Sequence, residues 1–267
     1  MSVAEAPIGV FDSGIGGLTV ARELIWRLPR ESLLYVADTA HVPYGERSPE
    51  EIRAFASAIT RWLVAQGCKL VVMACNTSTA LALELVQAEV AVPVVGTITG
   101  GAQAAVEAAG AGTIGVLATA ATVASGAYPR AIAALAPAAR VLQVACPDFV
   151  PLVEAGRIGT TDSYNAVCER VNQLPVLELD ALVLGCTHYP FLSPVIRMAT
   201  EERTYLVDPA LITARSVAAL LKARGLRAAG PARHRLVATG STASVARVNA
   251  TKFRGRLPAP EQIAPLT

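Results

Sequence analysis

Two stretches of this chain place a thiol where an apolar run gives way to polar residues. Leu70 to Met73 lead into Ala74-Cys75-Asn76-Thr77, and Leu182 to Gly185 lead into Cys186-Thr187-His188. Short apolar runs of this kind read as buried strands. In open α/β sheets ligands bind at the carboxyl ends of the strands, so each cysteine stands where a site forms. Two thiols facing one another across a small ligand can take a proton from one face of a carbon and return one to the other, which inverts a stereocentre. Polar neighbours and a following helix N-terminus also predict a lowered thiol pKa and an available thiolate. Cys68, Cys146 and Cys168 lack such surroundings and read as small core residues.

Asp12 lies in Val10-Phe11-Asp12-Ser13-Gly14-Ile15-Gly16-Gly17-Leu18-Thr19, a glycine-rich passage from strand to helix. The glycines are expected to let the chain turn tightly and bring backbone N–H groups near an anion. A dinucleotide site fits poorly, because Asp12 would face the pyrophosphate and Thr19 stands where the third fingerprint glycine belongs. No Gly-Lys-Ser/Thr follows, so a P-loop fails too. Asp12 is better used on an ammonium group or as an orienter of a thiol. His188, two residues after Cys186, can polarise that sulfur, since imidazole titrates near neutrality. Asp12, Cys75, Cys186 and His188 show no zinc-ligand spacing, so no metal is assigned. Thr39 to Gly45, containing Pro43, Tyr44 and Gly45, forms a turn after another strand end. Thr119, Thr122, Ser125 and Tyr128 supply hydroxyls around a helix start. Such a collection suits a carboxylate-bearing ligand, with capping and turn chemistry the plainer reading for Thr122 and Ser125.

Strand-like and helix-like runs alternate along almost the whole chain, which predicts an α/β fold of parallel sheets with helical crossovers. Strands are expected at 7–11, 33–37, 70–74, 92–95, 113–118, 141–145, 181–184, 204–207 and 235–238. Leu18, Ala21, Ile25 and Leu28 share one helical face. Ser48-Pro49-Glu50-Glu51 reads as an N-cap, a first-turn proline and a capping-box glutamate opening a helix toward Gln66-Gly67. An internal echo is present as well: Asp12 precedes Cys75 by 63 residues and Thr119 precedes Cys186 by 67. Two similar lobes are therefore expected, each a mostly parallel sheet flanked by helices, with the site in the cleft between them. The first lobe takes residues 1–97 and 210–267, the second 98–209.

The chain has 267 residues, 53% hydrophobic and 16% charged, ample for a buried core. Its opening residues lack a basic start followed by an apolar run, so no secretory signal is expected. Residues 108–129 carry no charge, but glycines and hydroxyls interrupt them, and they read as strand, loop and helix instead of a membrane span. Five widely spaced cysteines suit a reducing cytoplasm. Residues 209–267 hold ten Lys or Arg against the single Glu261. With no nucleic-acid-reading motif beside it, this charge reads as a solvated helical face, and nucleic acid is not the expected partner.

Phe11 to Val20, Pro43-Tyr44-Gly45, Ala74-Cys75-Asn76-Thr77, Phe149 to Glu154 and Gly185-Cys186-Thr187-His188-Tyr189-Pro190 together resemble, in order and spacing, the motifs of bacterial glutamate racemases. The resemblance implies a cofactor-independent enzyme interconverting L- and D-glutamate and supplying the D-isomer for peptidoglycan. It implies Cys75 and Cys186 as the acid/base pair, with Asp12 assisting one and His188 and Glu154 the other. Ser13, Tyr44, Gly45, Asn76, Thr77 and Thr187 align with substrate-holding residues, Thr119 and Thr122 join them, and Pro43 is carried with its turn. A homodimer is implied too. Ala155 stands where the family has a second acid, and Arg233 to Gly255 match only loosely. A racemase for another acidic amino acid, such as aspartate, and a nucleic-acid-binding module using the basic segment are the competing readings.

Overall fold

Nine apolar runs become strands because β-branched and leucine side chains fill both faces of a sheet buried under helices. A computed structural model describes residues 2–253 and 256–266. Met1, Arg254, Gly255 and Thr267, assigned by sequence to the first lobe, lie outside the described residues. One sheet contains β1 (Ile8–Asp12), β2 (Leu33–Ala37), β3 (Leu70–Met73) and β4 (Val94–Gly96), joined by β9 (Arg235–Ala238) and β10 (Glu261–Gln262) in the order β10-β9-β2-β1-β3-β4. The other contains β5 (Thr113–Ala118), β6 (Arg140–Ala145), β7 (Leu179–Gly185) and β8 (Tyr205–Val207) in the order β6-β5-β7-β8. Every pairing among the described residues is parallel.

The echo in the sequence is an echo in topology. The order β2-β1-β3-β4 in one sheet repeats as β6-β5-β7-β8 in the other. Cys75 follows β3 and Cys186 follows β7, so the thiols occupy equivalent places in two similarly wound units. Two sequence expectations shift at their ends. The strand expected at 92–95 starts at Val94, because Pro93 has no N–H to give the ladder; its carbonyl accepts from Val71 N instead. The edge strand β10 carries no apolar run, and both of its residues are exposed, so only backbone pairing with β9 marks it.

The crossovers are α1 (Leu18–Arg27), α2 (Pro49–Ala65), α3 (Asn76–Glu89), α4 (Ile98–Ala109), α5 (Ala120–Ser125), α6 (Ala127–Leu135), α7 (Phe149–Glu154), α8 (Thr161–Val171), α9 (Ser193–Met198), α10 (Pro209–Ala223) and α11 (Ala243–Val248). Ser48 caps α2 as expected: its hydroxyl accepts from Glu51 N at 3.2 Å while the Glu51 carboxylate accepts from Ser48 N at 2.9 Å. Such a cap is worth about 1 kcal/mol. Helix α10 packs on both α1 and α4, and one buried cluster runs from Ile8, Val10 and Leu70 to Leu117, Leu182 and Leu184. The uncharged 108–129 stretch is divided among α4, β5, α5 and α6, and no helix among the described residues is long and apolar enough to cross a membrane.

Candidate active site

Strand register brings the polar residues together. Asp12 pairs with Ala37 across β1 and β2, and Phe11 with Met73 across β1 and β3, so Asp12, Asp38 and Cys75 share one carboxyl edge. In the second sheet Ala118 pairs with Ala145 and Gly185, which puts Thr119, Cys146 and Cys186 on the other. The two edges face a common cavity of about 90 Å³. Cys75, Cys186, Ser13, Pro43, Tyr44, Gly45, Thr77, Thr119, Thr187 and His188 line it, with Glu46, Ala120, Cys146, Pro147 and Val150. Asp12, Thr122 and Glu154 stand behind this lining and act on it through hydrogen bonds, while Asn76, next to Cys75, is held by Thr97 and Tyr128.

On the second-lobe side, His188 Nδ1 lies 3.8 Å from Cys186 Sγ and Nε2 lies 2.8 Å from a Glu154 oxygen. Burial disfavours charge on His188, yet the contacts with Cys186 and Glu154 outweigh it and hold the imidazole pKa well above its ordinary value. Burial likewise opposes ionisation of Glu154, but the His188 contact lowers its pKa overall. The chemical result is an imidazolium beside one sulfur, balanced behind by a carboxylate. That arrangement puts a cation within reach of the Cys186 sulfur.

Cys75 sits differently. It is the N-cap residue of α3, as expected, but its pKa is pushed up to about 12 by burial and by the Asp12 carboxylate. The expectation of a lowered pKa is therefore corrected here: desolvation and a neighbouring negative charge outweigh the helix terminus. Nor does an α-helix follow Cys186 directly; a 3₁₀ turn, Tyr189–Leu192, intervenes. Exposure is similar, 5% for Cys75 and 7% for Cys186, so electrostatics should decide which thiol reacts first. At pH 8, iodoacetamide is expected to label Cys186 well ahead of Cys75, as peptide mass spectrometry would read directly. Equal labelling would count against the assigned charge states.

The glycine-rich passage turns from strand into helix as expected and brings the Gly14 and Ile15 N–H groups to the carboxylates of Asp12 and Glu154, but the glycines serve a further purpose. None of Gly14, Gly16 or Gly17 has positive φ. They are needed for room: a Cβ on Gly14 would stand 2.5 Å from Glu154 Oε1, and one on Gly16 would stand 2.5 Å from His188 Nδ1 and collide with Thr187 Oγ1. Asp12 takes the nearby Gly14 N–H at 3.0 Å, occupying a donor that a phosphate would require, and accepts from Thr187 Oγ1 at 3.0 Å. Those contacts tie the two sheet edges together through a buried carboxylate.

Thr77, Thr119 and Thr122 form a hydroxyl triangle with edges of 2.9, 2.9 and 3.3 Å, and Thr119 also caps α5 through Thr122 N. Tyr44 lines the cavity, but its hydroxyl is committed to Asp38 at 2.5 Å, leaving its ring and backbone for a ligand. Asp38 additionally binds Thr239 Oγ1 at 2.6 Å and His41 Nδ1 at 2.9 Å. It thus anchors the 39–45 turn from below, a role that its position at a strand end only hinted at. Cys146, read as core, borders the cavity because it ends the strand next to β5. The five cysteines are all free, and no three His, Cys, Asp or Glu side chains among the described residues are grouped to hold a metal ion. In the basic C-terminal part, Arg247 donates to the Glu154 carbonyl at 2.6 Å, closing the end of α7.

Comparisons with known proteins agree with this geometry. Residues 18–217 match the family model described as Asp/Glu/Hydantoin racemase. A glutamate racemase of Gloeothece citriformis is 48% identical over 226 residues, covering 85% of this chain and 81% of that protein. Among solved structures, a glutamate racemase isoform of Bacillus anthracis superposes with a TM-score of 0.93 at 34% identity, covering 99% of this chain and 100% of the other. The Francisella tularensis glutamate racemase, solved in complex with D-glutamate, gives 0.91 at 32% identity over 98% of both chains. The family match covers most of the sequence and includes both thiol-bearing strand ends, and so the chain belongs to the Asp/Glu/hydantoin racemase family.

Proposed function

We propose that this protein interconverts L- and D-glutamate by moving the Cα proton between Cys75 and Cys186, supplying D-glutamate for peptidoglycan. The observation that carries the reading is the single cavity bordered by both strand-end thiols. The glutamate racemases to which the chain is similar support the choice of substrate. In this mechanism the thiolate on one side removes the proton while the opposite thiol delivers one, and the next turnover starts with the roles exchanged. Ionisation of the two sulfurs is therefore coupled, and the pair titrates as a unit.

The carbanion formed at Cα needs oriented hydrogen bonds in place of an electron sink. Thr187 and the backbone N–H groups of the two strand ends, with Asn76 and Thr77, are assigned to the α-carboxylate as it gains enolate character. Ser13, Pro43, Tyr44, Gly45, Thr119 and Thr122 complete the pocket. Asp12 is assigned to balance the substrate ammonium from behind the lining, and that cation, arriving beside Cys75, offsets the charge that keeps its thiol protonated. His188, backed by Glu154, serves Cys186. No cofactor enters this scheme. A homodimer in the cytoplasm is the setting we assign, on the likeness to glutamate racemases and the five free cysteines.

A circular-dichroism assay of L-glutamate with no added cofactor tests the reading. The ellipticity is expected to decay to zero as the racemate forms. Faster decay with L-aspartate would reassign the substrate, because a pocket sized for the γ-carboxylate leaves polar groups unpaired with the shorter acid. Stable ellipticity with both acids would overturn the proposal.

A further inference from the structure

A buried tyrosine outside the cavity lining touches the supports of both thiols. Tyr128, on α6, has no exposed surface, and its hydroxyl donates to Asn76 Oδ1 at 2.7 Å. Asn76 directly follows Cys75. On the other side of the ring, a Cβ added to Gly185, the residue before Cys186, would stand 3.1 Å from Tyr128 Cε2. A Cβ on Gly101 of α4 would stand 2.9 Å from the hydroxyl oxygen and 3.1 Å from Cε1. Glycines at 101 and 185 thus clear the space that the phenol fills, between the turn carrying one sulfur and the turn carrying the other.

The hydroxyl also fixes which end of the Asn76 amide is committed within the protein. Thr97 Oγ1 donates to the same oxygen at 3.1 Å, so both acceptor positions of Oδ1 are taken. The amide N–H2 is what remains for a bound anion. If the amide turned over, its N–H2 would meet the two hydroxyls and its carbonyl oxygen would be the free end, which can only repel an anion.

We propose that Tyr128 is a positioning residue for racemisation: its ring sets the spacing of the two thiol-bearing turns, and its hydroxyl, with Thr97, holds Asn76 with the N–H2 toward the substrate carboxylate. This rests on the glutamate racemase reading above. Tyr128 touches no reacting atom; it acts through Asn76 and Gly185.

Tyr128→Phe removes the hydroxyl and keeps the ring. It is expected to lower kcat/KM about tenfold, the weight of one misdirected hydrogen bond to a charged group, and to do so mainly by raising KM. The loss must be equal in both directions, because the equilibrium constant of a racemisation is one. Calorimetric titration with racemic glutamate, whose composition turnover leaves unchanged, should show the same weakening. In the Asn76→Ala background, Tyr128→Phe should weaken binding no further, since the group it orients is gone. Gly101→Ala gives a second route: its methyl displaces the hydroxyl without deleting it and should raise KM in the same way. Wild-type KM in Tyr128→Phe, a loss confined to kcat, or additive losses in the double variant would each overturn the assignment. Wild-type turnover in the same assay separates these outcomes from failure of the racemase reading, in which glutamate is not inverted at all.

Discussion

Cys75→Ser and Cys186→Ser should each abolish inversion of glutamate in both directions, by at least about 10³-fold, within the range that positioned acid/base groups contribute. A hydroxyl matches the thiol in place but gives up its proton far less readily, so the exchange of roles between the two sides stops when either sulfur is lost. Binding should stay within about tenfold of wild type, because the missing interactions belong to the transition state and not to the ground state. In deuterated solvent the wild-type protein should exchange the Cα proton as it inverts the centre. Near-normal turnover in either serine variant, or retention of the original hydrogen in the product, would refute proton transfer by two thiols. Reactive approach at about 3 to 3.5 Å on each side of one carbon also implies sulfurs roughly 7 Å apart with substrate bound.

The second large effect is expected at a residue that has no titrating group of its own. Gly16→Ala should cut kcat about 10²-fold while leaving the far-ultraviolet spectrum native, since displacements near 1 Å cost that much in a preorganised site. The residue has no positive φ, so an alanine backbone is allowed; the obstruction is spatial. Its Cβ would lie 2.5 Å from His188 Nδ1 and 2.9 Å from His188 Cε1, and would meet Thr187 Oγ1 as well. Relief requires the second sheet edge to retreat, which lengthens the Asp12–Thr187 hydrogen bond and pulls His188 from Cys186. Stopped assays with saturating glutamate check this through kcat directly. Turnover within twofold of wild type would show that the two edges have slack the packing does not suggest.

The two charge states explain why one site needs unlike flanks. His188 is held as a cation beside Cys186, whereas Cys75 has Asp12 and a dry environment and keeps its proton. The two sulfurs therefore rest in unlike electrostatic surroundings, one beside a cation and the other beside a carboxylate. Symmetric flanks would leave both sulfurs protonated or both charged, and neither pair can hand a proton across a carbon.

Nine of the ten described strands, the capping box of α2 and the placement of Cys75 and Cys186 at strand ends were legible in the chain, because they follow from local rules: apolar runs, helix caps and polar residues after a strand. Spacing of 63 and 67 residues pointed to two similar lobes, and the repeated strand order came with the structure. What distance along the chain could not supply was the balance of forces at each thiol. A lowered pKa at Cys75 was expected from its helix terminus, but burial and Asp12, fixed only by packing, act the other way. The glycines near Asp12 form the turn they suggested, but they also give clearance for Glu154, Thr187 and His188, whose approach depends on how one sheet edge meets the other. Asp38 beneath Tyr44, and Tyr128 against Asn76, are partners brought together from opposite ends of crossovers. Residue types thus determined which chemistry was available, whereas only the tertiary structure decided its charges and alignment, because desolvation and close contact are properties of neighbours in space.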